Sequence, residues 1–281
     1  SQLVDNGNVS GLDDTRKPTL AGLRRRGYTS KSIKDFCIMI GVTRADSIVE
    51  YEQLESVIRS DLDSTVSRRM AVLNPLKVII SNFSKNEVEK LIAPNHPKFE
   101  SLGERELPFQ REIFIERNDF RETANKKFKR LVLGGEVRLR NAYVIKAEKI
   151  IRDKNDEIIE IHCSYDPETL GKNPEGRKVR GVIHWVSASQ KKSAVVRLYD
   201  KLFSVPVPGK SDDFLNELNP NSLLVMRECK LEQSLFDSKP GERFQFEREG
   251  YFCRDIEDSV DGLPVFNKIV SLRDSWVESE S

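Results

Sequence analysis

From Met70 onward, apolar residues recur with a period of two. The runs "KVIISNF", "REIFIERND", "EVRLRNAYVIKAEKII", "EIIEIHCSY", "RKVRGVIHWVS", "AVVRLYDKLFSV", "SLLVMREC", "RFQFEREGYFCRD" and "VFNKIVSLRDSW" alternate β-branched or aromatic residues with polar ones. Alternation puts one side of each segment in a core and the other in water, which predicts half-buried strands. Turn-forming clusters separate the runs, so this part predicts antiparallel barrels or sandwiches, as one large unit or two barrels. "RDKNDE" at 152–157 predicts a hairpin turn, and so does the pair Gly134-Gly135. "PVPGKSDDFLNELNP" breaks the strands with Pro, Gly and a short helix-like stretch, and "APNHPKFESLGERELPF" predicts a long loop wrapping a surface.

Before about Ser67 the spacing is helical. Pro18 suits a first turn, Leu20 and Leu23 give apolar spacing, and Gly27 follows "RRR" as a stop. In "TSKSIKDFCIMIG" a Thr29 or Ser30 cap precedes Ile33, Phe36, Cys37 and Ile40 on one face, and Gly41 closes the helix. Leu54, Val57, Ile58 and Leu62 repeat the pattern in "YEQLESVIRSDL". The predicted fold class is therefore α+β and mainly β: a small helical subdomain followed by strands. A chain of 281 residues suggests about two domains.

No apolar run reaches the ~20 residues of a membrane helix, and "SQLVDNGNVS" lacks the features of a signal peptide. The expectation is a soluble, cytoplasmic protein without a membrane partner. Cys37, Cys163, Cys229 and Cys253 stand singly, which predicts isolated, mostly buried thiols rather than disulfides or a zinc site. A formal net charge of +1 argues against a nucleic-acid partner only until its distribution is considered. Thr15–Lys34 holds seven Lys or Arg and no acid, and Arg121–Arg152 holds ten against three acids.

Catalytic chemistry has little support in the pattern. His96, His162 and His184 are dispersed, and His184 in mid-strand reads as a structural residue. Gly134-Gly135 lacks the lysine and setting of a phosphate loop. Asp13-Asp14 could bind a metal, though acids before a Pro-started helix serve more commonly as caps or dipole partners. Arg24–Arg26 reads as a solvated helix end.

The stretch "KKFKRLVLGGEVRLRNAYVIKAE" at 126–148 is different. On a strand, Arg138 and Arg140 share one face while Val137 and Leu139 take the other, so two guanidinium forks stand over a packed wall. Lys126, Lys127, Lys129 and Arg130 surround Phe128, a mixture of cations and a planar ring found in single-stranded nucleic-acid sites. The competing reading is a lysine-rich barrel edge that discourages aggregation.

Several stretches together extend the reading. "GLDDTRKPTLAGLRRRGYTSKSIKDFC", "MAVLNPLKVIISNF", "PNHP" with "FQREIFIERNDFRE", "KRLVLGGEVRLRNAYVIKAE", "GVIHWVS", "VRLYDKLFSVPVPG" and "FQFEREGYFCRD" occur in the order of the C-terminal part of bacterial-type glutaminyl-tRNA synthetases, which the chain resembles from end to end. The resemblance implies a class I aminoacyl-tRNA synthetase in which a helical subdomain, 1–67, leads to two antiparallel anticodon-binding β-barrels. The proximal barrel is expected at 68–122 plus 195–281 and the distal one at 123–194.

It also implies an incomplete chain. The HIGH and KMSKS-type motifs of the family's catalytic domain do not occur here, so the fragment alone is expected to be inactive, with no cofactor of its own. ATP with Mg would serve the parent enzyme, and tRNA(Gln) is the implied partner. Carried over residue by residue, Arg130 matches the arginine on the third anticodon base, Arg138 and Arg140 those on the first, and Arg68 and Gln245 the pair on the middle base. Lys129 and Arg248 match basic neighbours of that pocket, and Thr43 and Arg44 a turn at the tRNA D stem. Departures from the family pattern are Leu12 and Thr15 in place of Trp and Pro, Ala45 in place of a polar residue, and Lys127 in place of glutamine. The nearest alternatives are the same region of an archaeal or eukaryotic-type glutamyl-tRNA synthetase, or a standalone RNA-binding barrel protein.

Overall fold

The computed structural model describes residues 2–41, 50–189, 192–205, 208, 214–260 and 262–273. The chain divides into two compact units, one of 1–67, 195–226 and 238–281, the other of 68–194 and 227–237.

In the first unit, helices Leu20–Arg26, Ser30–Ile40 and Tyr51–Thr65 fall where the spacing places them. Thr19 and Thr29 cap the first two by accepting from the N–H groups of Gly22 and Ser32. Leu54, Ile58 and Leu62 are buried together with Leu23 and Tyr28 against Tyr251, Cys253 and Ile269. Those last residues belong to a sheet in which Arg243–Phe246, Gly250–Arg254, Val265–Val270, the strand from Ala194 to Tyr199, and Leu223–Leu231 are successive neighbours. The helices therefore pack on strands contributed by the far end of the sequence. Gly27 makes this approach possible: its φ is +116°, and a Cβ there would lie 2.8 Å from Ile269 Cδ1.

Arg25 and Arg26 correct the expectation of a solvated helix end, because both are buried. Arg25 Nε donates to Asp255 at 3.1 Å, and its other nitrogens reach Asp13 at 2.8 Å and Asp258 at 2.8 Å. Arg26 donates to the Lys268 carbonyl at 3.0 Å and lies 5.0 Å over the Tyr199 ring. Burial pushes the Asp255 carboxyl up, but the Asp258 N–H, Arg25 and Asn267 reverse this and hold it below the ordinary range. Asp14 closes a turn rather than capping a helix, accepting from Ser10 N–H at 2.8 Å and from Arg16. Burial opposes its charge, yet the Arg16 hydrogen bonds lower its pKa to about 2. Both acids of the Asp13-Asp14 pair are thus engaged by arginine.

The second unit holds a seven-stranded sheet in the order Val182–Ile183, Glu136–Leu139, Val144–Arg152, Ile158–Asp166, Pro75–Ile80, Glu112–Glu116, Trp185–Ser187. Its two end strands are separated in the chain by His184 alone, so the sheet must curl until its edges meet. Two parallel pairings, of Glu160 with Lys77 and of Val182 with Arg138, take part in this closure, and the other pairings are antiparallel. Val78, Ile80, Ile113, Ile115, Val137, Leu139, Ile161 and Trp185 fill the interior. Cys163 shares that core, and burial pushes its thiol pKa up; Cys253 in the first unit is pushed up to about 11 for the same reason. Cys37 is the exposed thiol among the four.

Three features of this unit differ from the sequence reading. The stretch expected as a long loop, 93–109, is loop only over 95–103, since it ends in strand Glu104–Gln110, which pairs with Val88–Pro94 and buries Leu107 and Phe109. Charged residues on the outer face hid the alternation. The run "EVRLRNAYVIKAEKII" folds back on itself, with Leu139 N–H donating to Tyr143 carbonyl at 2.9 Å and Asn141 at φ +56°. Strands Pro75–Ile80 and Glu112–Glu116 also share a sheet with those of 123–194, whereas the family-based division groups 68–122 with 195–281.

Buried charge is matched here as well. Glu232 accepts from Arg105 Nε at 2.7 Å, Arg105 Nη2 at 3.0 Å and the Met70 N–H at 2.9 Å. His184 is fully buried with Nε2 at 3.6 Å from Glu116, in keeping with a structural role.

Candidate nucleic-acid interface

The strand Glu136–Leu139 buries Val137 and Leu139 and leaves Glu136 and Arg138 half-exposed, as its alternation requires. Arg138 projects from the outer face and donates to three carbonyls: Ala142 at 3.1 Å, Thr169 at 2.7 Å and Lys172 at 2.5 Å. It fastens the 140–143 turn to the loop that follows Thr169. Arg140 is fixed through its backbone, its N–H donating to Ile183 at 2.9 Å and its carbonyl accepting from Trp185 Nε1 at 2.9 Å.

Gly134-Gly135 is a turn, closed by Gly135 N–H to the Val132 carbonyl at 2.7 Å, but not the turn of a hairpin. Leu131–Val132 pairs in parallel with Phe120–Arg121, while Glu136–Leu139 pairs with Val144–Lys146. Ala147 explains the difference, since it exchanges hydrogen bonds with Gly134 and Gly135 and so occupies the position a hairpin partner would take.

Lys126, Lys127 and Lys129 are exposed, and Phe128 is half-buried. The Phe128 ring lies under two guanidinium groups, Arg121 at 4.5 Å and Arg130 at 5.7 Å. Arg130 also reaches buried Asp119 at 3.3 Å and the Asn118 carbonyl at 3.3 Å. Lys129 donates to the Lys126 carbonyl, so the segment forms a tight arch. Gly181 abuts the arch: at φ +92°, a Cβ on it would overlap the Lys129 carbonyl oxygen and lie 2.8 Å from its carbon.

Beside Arg138 an open cleft of about 710 Å³ is lined by Lys90, Ile92, Asn141, Leu170 and Lys172, among others. Its size lies in the range of small-molecule sites. Ile92 is 55% exposed and Leu170 45% exposed, which gives the cleft apolar walls open to solvent. Glu89 also borders it, with its carboxylate held by Tyr143 OH at 2.8 and 2.9 Å. Arg177 bridges Glu136 at 2.9 Å and Asp166 at 2.7 Å, tying the rest of the loop to the barrel. Such a site can take a planar group between aliphatic walls while cations and amides meet its edge or an attached phosphate.

Ile92, Asn141, Leu170 and Lys172 were not singled out from the sequence. For Leu170 and Lys172 the signal that could have found them was the Gly-, Asn- and Pro-bearing loop after Leu170, cationic and directly before the closing strands.

The other family-derived positions lie outside the residues of the arch and the cleft. Arg68 lies in the second unit on strand Ser67–Arg69, buried, with its N–H donating to the Asn95 carbonyl at 2.6 Å. Gln245 and Arg248 belong to the first unit. Gln245 is buried and donates to Tyr251 OH at 2.9 Å, which in turn donates to Asp63 at 3.1 Å. Arg248 occupies the turn between two strands at φ +70°. Thr43 and Arg44 lie outside the described residues.

Comparison with known families decides what this surface belongs to. Residues 66–166 and 182–255 each match a model of the anti-codon binding domain of class I (E and Q) tRNA synthetases. The chain belongs to this synthetase family. Residues 1–64 match the model of the catalytic domain of the same synthetases, so the helical part is continuous in kind with that domain. Among relatives, the glutamine–tRNA ligase of Pseudomonas syringae pv. tomato is 56% identical over 98% of this chain and 49% of its own length. The glutamine–tRNA ligase of Vibrio vulnificus is 55% identical over the whole of this chain and 50% of its own length. That of Tolumonas auensis is 55% identical over 99% of the chain and 50% of its own length. This synthetase chain spans about half the length of the curated relatives it matches. The basic arch and the cleft residues Lys90, Ile92, Arg138 and Asn141 lie within the first anticodon-binding match, whereas Leu170 and Lys172 fall between the two matches.

Proposed function

We propose that the chain supplies tRNA docking and anticodon discrimination to a glutamine–tRNA ligase that joins glutamine to tRNA(Gln) with ATP and Mg in the cytoplasm. The observation that carries this reading is the apolar-walled cleft beside Arg138, a residue within the anticodon-binding match. An unstacked first anticodon base would enter between Ile92 and Leu170, with Arg138 and Arg140 at its edge, and Arg130 and Lys129 would meet the third base on the arch. Arg68 and Gln245, with Arg248 nearby, would serve the middle base, and Thr43 with Arg44 the D stem. Amino-acid activation is assigned to the part of the relatives outside the match, so the chain alone carries binding without ligation.

The test is tRNA binding by Arg130→Ala. Each good bidentate base contact discriminates by about 1–3 kcal/mol, roughly 5- to 150-fold. The variant should bind tRNA(Gln) and a third-base variant of it with nearly equal affinity, where the unaltered chain prefers the former. An unchanged preference refutes the assignment. Including tRNA(Glu) in the series separates a glutamine enzyme from a glutamate one, because the family model covers both.

A further inference from the structure

Arg121 is a cation at the arch that the anticodon assignment leaves unused. It ends the strand Phe120–Arg121, and its carbonyl accepts from Leu133 N–H at 3.2 Å, so its backbone is anchored at the foot of the arch. Its guanidinium carbon stands 4.5 Å from the Phe128 ring centroid, closer than that of Arg130 at 5.7 Å.

The two arginines differ in what else they hold. Arg130 spends donors on Asp119 and the Asn118 carbonyl. Among the described residues Arg121 has no ion pair and no side-chain hydrogen bond, and the neighbouring acid, Glu122, is taken by Arg152 at 2.5 Å. Arg121 is nonetheless held in place, because a guanidinium over an aromatic ring is oriented by cation–π attraction while its planar set of N–H donors stays available. It is exposed, and so are the nearby Lys126, Lys127 and Lys129.

An oriented, unneutralised guanidinium on a cationic arch matches a phosphodiester, which accepts two parallel N–H bonds. A base is a poorer fit, because the Phe128 ring that would stack it is already committed to two guanidinium groups. We infer that Arg121, held against Phe128, binds a backbone phosphate of the unstacked anticodon strand beside the nucleotide assigned to Arg130. This inference rests on the anticodon reading above and adds a contact that carries affinity without sequence preference.

Salt dependence tests it. A phosphate contact on a single strand contributes about 0.7 to the slope of log K against log salt. Binding of tRNA(Gln) and of variants at each anticodon base is measured from about 50 to about 200 mM KCl for the unaltered chain, Arg121→Gln and Arg121→Lys. Arg121→Gln should flatten the slope by about 0.7, so that the unaltered chain loses about 2.6-fold more affinity across that range than the variant does. The loss at low salt should be equal for all the tRNAs. Arg121→Lys keeps the charge and should keep the slope while binding more weakly. A slope in Arg121→Gln equal to that of the unaltered chain overturns the inference, as does a loss confined to one anticodon base. If the unaltered chain itself shows no salt-dependent tRNA binding, the anticodon reading fails and takes this one with it. Normal binding with an unaffected Arg121→Gln sinks only the phosphate contact.

Discussion

Replacing Gly181 by alanine separates the stability of the barrel from the shape of the arch. At φ +92° an L-residue is strained by about 1–2 kcal/mol before any contact is considered. The added methyl also overlaps the Lys129 carbonyl oxygen and stands 2.8 Å from its carbon, against an ordinary van der Waals contact of 3.4 Å or more. Either the closing strand Val182–Ile183 or the arch must yield by about an ångström. The strand is hydrogen-bonded to Glu136–Leu139, and Ile183 is wholly buried, whereas the arch is exposed and held by few bonds. The arch therefore moves. Strain alone should lower the melting temperature by about 2–8 °C, at roughly 2–4 °C per kcal/mol for a unit of this size. Displacing Lys129 and Arg130 should cost tRNA affinity about tenfold or more, since an ångström of misplacement is enough to break bidentate geometry. Calorimetry and a tRNA-binding titration on the same preparation check both numbers. A large fall in melting temperature with tRNA affinity intact would refute the argument, because it would show that the strand yields and that the arch is not a binding element.

The remaining predictions concern buried charge and the Arg138 staple. Glu232→Ala leaves Arg105 buried without its carboxylate and should destabilise the second unit by about 3–5 kcal/mol in urea unfolding. Arg138→Ala frees the three carbonyls of Ala142, Thr169 and Lys172, so hydrogen exchange around 169–172 should accelerate and tRNA binding should weaken together. Asp14 and Asp255 both titrate below their ordinary range when folded, so the unfolded chain takes up protons first as pH falls. Their stabilisation is complete above about pH 5 and is lost progressively as pH falls, for Asp14 through its folded value of about 2, which unfolding curves at pH 5, 3 and 2 would show and Asp255→Asn would flatten.

The parts of the fold that the sequence made legible are those decided by local spacing. Helix caps at Thr19 and Thr29, the buried face of Leu54, Ile58 and Leu62, and the 153–157 turn, where Asp153 N–H donates to Glu157 at 3.0 Å, all follow from residues within one or two turns of each other. What was not legible depends on partners remote in the chain. Arg25 looks solvated until Asp255 is placed beside it, and Asp255 lies 230 positions away. The hairpin expected at Gly134-Gly135 fails because Ala147 takes the available hydrogen bonds, which no property of "LGGE" announces. The arginines of the site were visible as an alternating pair, yet the cleft beside them needed Ile92 and Leu170 from two other segments to acquire apolar walls.

The same distinction bears on which arginines can read a base. Alternation alone makes Arg138 and Arg140 equivalent forks, but Arg138 already gives hydrogen bonds to three carbonyls, and Arg130 is drawn to Asp119. Neither can form a bidentate base contact without sharing or surrendering those bonds. Drawing either guanidinium from those partners costs hydrogen bonds, and a base that returns bonds to the guanidinium offsets that cost in part. The wrong base offers no such offset: it would leave the carbonyls of Thr169 and Lys172, or buried Asp119, with the guanidinium withdrawn and nothing gained. On the proposed assignment, holding these arginines in internal contacts weakens all binding somewhat and weakens mismatched binding more, which is the requirement for discrimination rather than for affinity. Arg121, with no such contacts among the described residues, has no comparable penalty to impose, and its chemistry is accordingly that of affinity alone.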